Sequence, residues 1–210
     1  MALSMMKKYE IAMKHAKKFA AKPSSLREVL KGVYHNPNGS VEITDSYKLL
    51  RIQGAHSLSE PKLVNVKTGE EMDYKYPDVE RVIPTEFELT FEIDGQDAVK
   101  TAFERVKLAY SVAKSVDKSK PLAYIEISDE AKIVVDEECV YYSAILQPNT
   151  YVNDGFKACF NAEYLHDAMN VFKDAETKKL SFKFPGELEP ALITDEENGI
   201  DVVILPIRTN

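Results

Sequence analysis

Two sets of lysines repeat one spacing 100 positions apart, and their charges could bind the phosphates of a nucleic acid. The sets are Lys7, Lys14 and Lys18, then Lys107, Lys114 and Lys118, with Lys100 preceding the second set. Spacings of seven and eleven residues bring side chains to one helix face. Lysine ammonium groups are mobile charges that can contact phosphates without reading bases. A solvated helix face accounts for either stripe alone, so both explanations stay open.

Residue types found in catalytic and metal sites are present but scattered. The histidines are His15, His35, His56 and His166, which have no metal-ligand spacing. Asp45 follows Thr44, but the pair does not indicate a nucleophile with its base. No glycine-rich phosphate loop follows a predicted strand. The sequence therefore predicts no catalytic residue, no metal site and no cofactor.

Three amphipathic helices are predicted, at residues 5–21, 96–116 and 161–174, and the first two carry the lysine stripes. Apolar residues recur every three or four positions on one side of each helix. The predicted buried faces are Tyr9, Ala12, Met13, Ala16, Phe19 and Ala20; Val99, Ala102, Phe103, Val106, Tyr110 and Ala113; and Tyr164, Leu165, Ala168, Met169 and Phe172. Each lysine stripe would then lie away from the core.

Alternating apolar residues predict short strands between the helices, giving an α+β fold. The predicted strands are 28–34, 41–52, 62–66, 87–93, 122–128, 132–136, 139–146, 155–160, 179–184, 191–194 and 199–206, with a hairpin turn at 36–39 and a loop at 148–154. A Lys-Pro pair follows each lysine-bearing helix, at 22–23 and 120–121. Together with the lysine spacing, this predicts two related units of about 100 residues.

The charge of the chain is unevenly distributed. The net charge is −7, yet six lysines and one glutamate lie between Met6 and Lys22. An acidic protein can still present one basic surface to a polyanion. No apolar run is long enough to span a membrane, and two cysteines form no disulfide framework. We therefore expect a cytoplasmic protein without a membrane partner.

Residues 76–84 connect the two predicted units. Pro77 and Pro84 stiffen the segment, because each proline fixes its own φ and extends the preceding residue. Val82, Ile83 and the aromatic Tyr76 are unusual in a simple linker. The segment is either an interdomain linker or part of a folded site.

Five segments in the same order resemble the bacterial DNA polymerase III β subunit, the sliding clamp. They are residues 27–33, 44–49, 76–84, 160–165 and 203–208, which read REVLKGV, TDSYKL, YPDVERVIP, FNAEYL and VILPIR. The resemblance implies clamp-like domains, with basic helices on one face and antiparallel sheets on the other. Residues 1–84 would form a truncated domain, and residues 85–210 would form a complete domain like the last one of the family.

The same resemblance implies two binding surfaces. The helix lysines would face duplex DNA without sequence preference. A hydrophobic groove would bind short peptides of replication proteins, with Asn161 and Tyr164 at its edge. Its lining would be Thr44, Ser46, Lys48 and Leu49; Pro77, Arg81 and Val82; and Val203, Leu205, Pro206, Ile207 and Arg208. The alternative for the apolar members is interdomain core.

The chain holds about one and a half of the three domains of the family. The usual ring of two subunits therefore cannot form unchanged. We expect a homo-oligomer that associates with DNA. The alternative is a peptide-binding decoy or regulator that forms no ring.

Overall fold

The computed structural model describes residues 2–137, 139–148 and 155–209. Its helices are α1 (Met5–Phe19), α2 (Gln96–Val116) and α3 (Ala162–Asp174), and short 3-10 turns span Glu28–Lys31 and Glu80–Val82. All three predicted helices are confirmed. Ser4 and Asn161 cap α1 and α3, since their side chains accept hydrogen bonds from backbone N–H groups in the first turn.

Twelve strands are described. They are β1 (Gly32–His35), β2 (Val41–Thr44), β3 (Lys48–Ile52), β4 (Lys62–Asn65), β5 (Leu89–Asp94), β6 (Leu122–Ile127), β7 (Glu130–Glu137), β8 (Val140–Pro148), β9 (Phe156–Asn161), β10 (Lys179–Phe184), β11 (Ala191–Asp195) and β12 (Ile200–Ile204). Most of the loop predicted at 148–154 lies outside the described residues.

The prediction of a single strand at 41–52 was wrong. The Asp45 side chain accepts hydrogen bonds from the N–H groups of Tyr47 and Lys48, and Ser46 has a φ of +81°. These bonds form a tight turn that separates β2 from β3. The strand predicted at 28–34 also begins as a 3-10 turn and becomes extended only at Gly32.

The strands form two antiparallel sheets. One has the order β8-β7-β6-β9, and the other has the order β4-β1-β2-β3-β12-β11-β10-β5. The larger sheet crosses from the first predicted unit to the second, because β3 pairs with β12. Three strands follow a helix on each side of this junction: β1, β2 and β3 follow α1, and β10, β11 and β12 follow α3. The two halves of the sheet are therefore arranged symmetrically about the β3–β12 pair.

This symmetry makes α1 the counterpart of α3. The repeated lysine spacing predicted two related units in which α1 corresponds to α2, and this stays a prediction, since three strands, β6, β7 and β8, also follow α2. The helix α2 follows the edge strand β5 and packs on strands of the smaller sheet and on α3. The matching lysines of α1 and α2 thus occupy different places in the fold.

Two positions of the predicted face of α1 were wrong. Tyr9 and Met13 are exposed, whereas Ile11 and His15 are buried. Tyr110 and Tyr164 on the other helices are half-buried. The apolar pattern located the helices correctly but could not identify which flank of each helix a neighbour covers.

Candidate functional site

A pocket of about 410 Å³ opens beside the paired strands β3 and β12. It lies on the face of the larger sheet away from the main core. Leu49 on β3 and Val203 on β12 are direct cross-strand partners, and both side chains are buried in its floor. Alternate residues of a strand point to opposite faces, so Lys48 and Leu50 point away from this floor.

The connector at 76–84 is a wall of the pocket. Tyr76 and Val79 are buried against Leu49 and Val203. Tyr76 also stacks on Tyr34 of β1, with ring centroids 4.8 Å apart. Tyr76 is held in apolar surroundings, and this burial raises the pKa of its hydroxyl.

Arg51 on β3 ties the connector to the sheet from beside the floor. Its Nη1 lies 2.7 Å from a carboxylate oxygen of Glu80, and its Nη2 lies 2.8 Å from Asp201 on β12. One guanidinium therefore joins β3, β12 and the connector. This arrangement holds the wall in one position relative to the floor.

The rim of the pocket is unusually apolar for exposed surface. The side chains of Tyr47 and Val82 are 60% and 51% exposed, and Leu205 is also exposed. The Leu205 N–H donates to the carbonyl oxygen of Tyr47 at 2.9 Å, which holds the chain after β12 against the turn after β2. An apolar floor with an apolar rim can take up the apolar side chains of another molecule.

Polar groups stand at one end of the pocket. Arg27 donates from Nη1 to Ser46 Oγ at 2.8 Å, and Lys75 and Asp78 also line the opening. Arg81 does not line it; its Nε donates to Asp78 Oδ2 at 2.9 Å and its side chain faces solvent. Polar recognition at this end is therefore available from Arg27 and Lys75.

The pocket brings together eight of the fourteen residues predicted for the groove. They are Thr44, Ser46, Lys48, Leu49, Pro77, Val82, Val203 and Leu205. Sequence reasoning missed seven other lining residues: Arg27, Val29, Leu30, Tyr47, Lys75, Asp78 and Val79. Six of the seven lie inside the segments 27–33, 44–49 and 76–84 that carried the resemblance, so their positions were within reach of the sequence.

Lys48 lines the pocket, but its ammonium group lies on the other side of the sheet. Its Nζ lies 3.2 Å from Asp167 Oδ2 and 4.1 Å from the centre of the Tyr164 ring. Asn161 caps α3. Burial raises the pKa of Tyr164 to about 12, and the charge of Asp45 adds to the rise. These groups lie where β3 meets α3 rather than at the pocket opening.

The chain after Leu205 leaves the pocket. Pro206 has no N–H to continue the ladder, and the Ile207 N–H donates to the carbonyl oxygen of Cys159 at 2.7 Å. Pro206, Ile207 and Arg208 are absent from the pocket lining. This part of the tail instead runs beside β9.

The predicted DNA-facing lysines differ in their surroundings. Lys14 and Lys18 reach across to α3, where Lys14 Nζ lies 2.8 Å from Asp174 and Lys18 Nζ lies 2.7 Å from Asp167. Burial alone would raise the pKa of Asp174, but hydrogen bonds from Lys14 and His15 outweigh it and lower that pKa. These two lysines hold α1 against α3.

The other lysines have local partners or none in the described structure. Lys7, Lys100 and Lys107 pair with acids three residues away at 3.2–3.8 Å, and Lys114 donates to the Tyr110 hydroxyl at 2.8 Å. Lys118 is exposed beyond the end of α2. Exposed pairs of this kind are screened by water, so the ammonium groups can exchange partners at little cost.

Within residues 2–137, 139–148 and 155–209, no three His, Cys, Asp or Glu side chains are placed to hold a metal ion. No helix in those ranges is long and apolar enough to cross a membrane.

No protein-family model matches this chain, and no curated protein matches its sequence. Solved structures do match. The β subunit from DNA polymerase of Streptococcus pyogenes has a TM-score of 0.77 and 17% identity, over 99% of this chain and 65% of that chain. The C. crescentus β sliding clamp has a TM-score of 0.77 and 18% identity, over 97% of this chain and 64% of that chain.

The Helicobacter pylori β clamp bound to a DNA ligase peptide has a TM-score of 0.72 and 17% identity, over 94% of this chain and 62% of that chain. The chain thus spans less than two thirds of the length of these clamps. The likeness shows that it has the fold of bacterial sliding clamps, as the five sequence segments predicted. It also confirms the predicted α+β class with antiparallel sheets.

Proposed function

We propose that this protein is a clamp-like, non-enzymatic accessory factor of DNA replication that binds short hydrophobic peptides of partner replication proteins in the pocket. The apolar pocket with its exposed Tyr47 and Val82 carries this proposal. Its volume lies within the roughly 300–1,000 Å³ of ligand-binding pockets. A clamp of the same fold has been solved with a DNA ligase peptide.

The proposed peptide presents adjacent large apolar side chains, such as Leu and Phe, to the floor at Leu49 and Val203. The rim residues would then close over them and lose their contact with water. An acidic or amide group of the peptide would meet Arg27 or Lys75 at the polar end. The peptide would bind as an extended or turned segment with apolar anchors.

Replacing Val82 with Glu tests the pocket. The variant places a charge on an apolar wall, and a bound peptide would have to desolvate it. We expect binding of a fluorescent Leu- and Phe-containing peptide to weaken at least about tenfold in an anisotropy titration. Leu188→Glu is the matched control, because Leu188 is an exposed apolar residue outside the pocket. Equal affinity of Val82→Glu and the native protein would contradict the proposal.

The proposed function also includes non-specific association with duplex DNA through the helix lysines, as a homo-oligomer. Electrostatic binding of this kind weakens steeply with salt, because phosphate contacts release counterions. We expect a variant with four helix lysines replaced by Glu to bind DNA more weakly, with an affinity that depends less on salt concentration. The four lysines are Lys7, Lys14, Lys107 and Lys114.

A second combined variant controls for net charge. It makes the same four Lys→Glu replacements at lysines of the sheets that also have acidic neighbours: Lys62, Lys132, Lys157 and Lys179. The proposal requires the helix variant to lose far more DNA affinity than the sheet variant. Equal losses would show only a general effect of charge.

The engagement of Lys14 and Lys18 with α3 favours a second candidate, a peptide-binding regulator that forms no ring. It keeps the pocket but needs no DNA surface. Peptide binding without DNA binding at low salt, from a protein that remains monomeric, would identify this candidate.

A further inference from the structure

A second opening near the end of the larger sheet combines aromatic rings with carboxylates. The cavity measures about 380 Å³, and we call it the Tyr74 cage after its most exposed ring. Tyr34 of β1, Met72 and Tyr74 line it with rings and a thioether, and Glu71 and Asp73 line it with carboxylates. None of these five residues lines the peptide pocket.

The Tyr74 cage lies on the same face of the larger sheet as the peptide pocket. Tyr34 is the cross-strand partner of Glu42 on β2, and Glu42 is the partner of Arg51 on β3. Direct partners point to one face, and Arg51 shares that face with the floor residue Leu49, two positions before it. The cage at β4 and β1 is two to four strand spacings from the floor at β3 and β12, or roughly 10–20 Å.

Backbone hydrogen bonds fix the wall of the cage that carries its carboxylates. The Met72 N–H donates to the carbonyl oxygen of Leu63 on β4 at 2.9 Å. The preceding residue, Glu71, forms an antiparallel bridge with Val64. This part of the chain therefore runs beside β4 in a fixed position. A preformed wall lowers the entropy that is lost when a ligand binds.

Two tyrosine rings stand at the opening. Tyr34 is half-buried, and stacking on Tyr76 at 4.8 Å between ring centroids fixes its position. Tyr74 is 54% exposed, and its ring stacks on no other ring of the described residues. The face of a tyrosine ring attracts cations, and several rings around one cation form an aromatic cage.

The carboxylates also favour a cation. Three of the four residues 70–73 are acidic, and the Asp73 carboxylate has no ion pair or hydrogen bond within the described part of the chain. Glu71 lies 3.4 Å from Lys62, but both side chains are exposed, so a ligand can displace Lys62 at little cost. The next lysine along the chain, Lys75, lines the peptide pocket instead. An unpaired carboxylate beside two rings points to a cationic ligand.

Arginine matches this lining better than lysine does. Its guanidinium is planar, so it can stack on a tyrosine ring while it donates two hydrogen bonds to one carboxylate. Its methylene groups can pack on Met72 and on Leu63, which also lines the cage. The lysine ammonium is a more strongly hydrated point charge without a flat face.

We propose that the Tyr74 cage binds an arginine side chain of the partner segment whose apolar residues occupy the peptide pocket. Three to six extended residues span roughly 10–20 Å, which sets the distance in sequence between the arginine and the apolar anchors. The two openings differ in charge, with Arg27 and Lys75 at the pocket and Glu71 and Asp73 at the cage. The link between the openings rests on the proposed function, whereas arginine binding by the cage does not.

A capped arginine tests the cage alone. In NMR titrations of the native protein, N-acetyl-arginine amide should shift the ring resonances of Tyr34 and Tyr74, and the uncharged analogue N-acetyl-citrulline amide should not. Tyr74→Ala and Asp73→Asn should each raise the concentration for half the shift at Tyr34 by at least about threefold. Tyr141→Ala is the matched control, because Tyr141 is an exposed tyrosine outside the cage. Equal shifts from the two compounds would overturn the inference.

Longer peptides test the link between the two openings. Each carries adjacent Leu and Phe, a five-residue Gly/Ser spacer and one arginine, placed before the anchors in one peptide and after them in another. In anisotropy titrations, one of the two should bind the native protein at least about fivefold more tightly than its citrulline counterpart. Tyr74→Ala should abolish this difference, and Tyr141→Ala should keep it. Equal affinity of the arginine and citrulline peptides in both arrangements would overturn the link.

The failure of either proposal can be recognised separately. A Leu- and Phe-containing peptide that does not bind, together with capped arginine that shifts Tyr34 and Tyr74, would contradict the peptide pocket and leave the cage as an arginine site. A peptide that binds equally well with and without arginine would leave the pocket and show that the cage has no part in binding that partner.

Discussion

Removing the Asp167 carboxylate should destabilise the protein more than removing any exposed acid. Asp167 on α3 accepts from Lys18 Nζ at 2.7 Å and from Lys48 Nζ at 3.2 Å. The Lys48 side chain is only 5% exposed, and its other carboxylate neighbour, Asp45, is 3.7 Å away. Asp167→Ala would leave the Lys48 ammonium buried with Asp45 as its only carboxylate neighbour, beside the Tyr164 ring.

Breaking a buried ion pair from one side costs about 3–5 kcal/mol, because the remaining charge is desolvated without compensation. We therefore expect Asp167→Ala to lower the free energy of unfolding by about 3 kcal/mol or more in urea titrations. Lys48→Met removes the buried cation and leaves Asp167 paired with the half-exposed Lys18. Its cost should be about 0–2 kcal/mol.

The double variant separates the buried charge from lost packing. Adding Lys48→Met to Asp167→Ala should recover about 2 kcal/mol, because no unpaired ammonium remains. Asp129→Ala, at an exposed turn position, should change stability by less than about 0.5 kcal/mol. A loss below about 1 kcal/mol for Asp167→Ala, or no recovery in the double variant, would refute the reasoning.

Two further changes follow from burial and backbone geometry. Burial lowers the pKa of His15, His35 and His166 below 6.5, so the unfolded chain binds more protons just below that pH. The free energy of unfolding should therefore fall as the pH drops from about 6.5 towards 5, and the urea concentration at the midpoint of unfolding should fall with it. An unchanged midpoint would contradict these pKa shifts. Gly199→Ala should cost more than Gly69→Ala, by about 1 kcal/mol in urea unfolding. Both have positive φ, but an added Cβ at Gly199 would lie 3.1 Å from another Cβ, whereas Gly69 faces open space.

The helices and most strands could be predicted because their signals are local. The 3.6-residue period located α2 at its observed bounds, and alternation located β10 at residues 179–184. The turn after β2 was missed because a side chain makes it: Asp45 binds two backbone N–H groups in a segment whose pattern otherwise reads as one strand. Local patterns do not report such bonds reliably.

About half of the residues predicted for the groove line the pocket. Different contacts decide for each residue whether it does. Leu49 and Val203 were predicted and line the floor, since each occupies a strand position facing the connector. Arg81 and Ile207 were predicted but lie elsewhere, because Asp78 holds one and the backbone beside β9 holds the other. Only the folded chain decides such competing contacts.

The amino-acid sequence alone determined the element types, the clamp-like resemblance and the stiff connector, because periodicity and proline act over a few residues. The tertiary structure decided that β3 pairs with β12 and that Lys14 and Lys18 contact α3. These contacts join residues about 150 positions apart, and their energy depends on burial that no local pattern encodes. The same lysine spacing on α1 and α2 therefore has two different structural consequences.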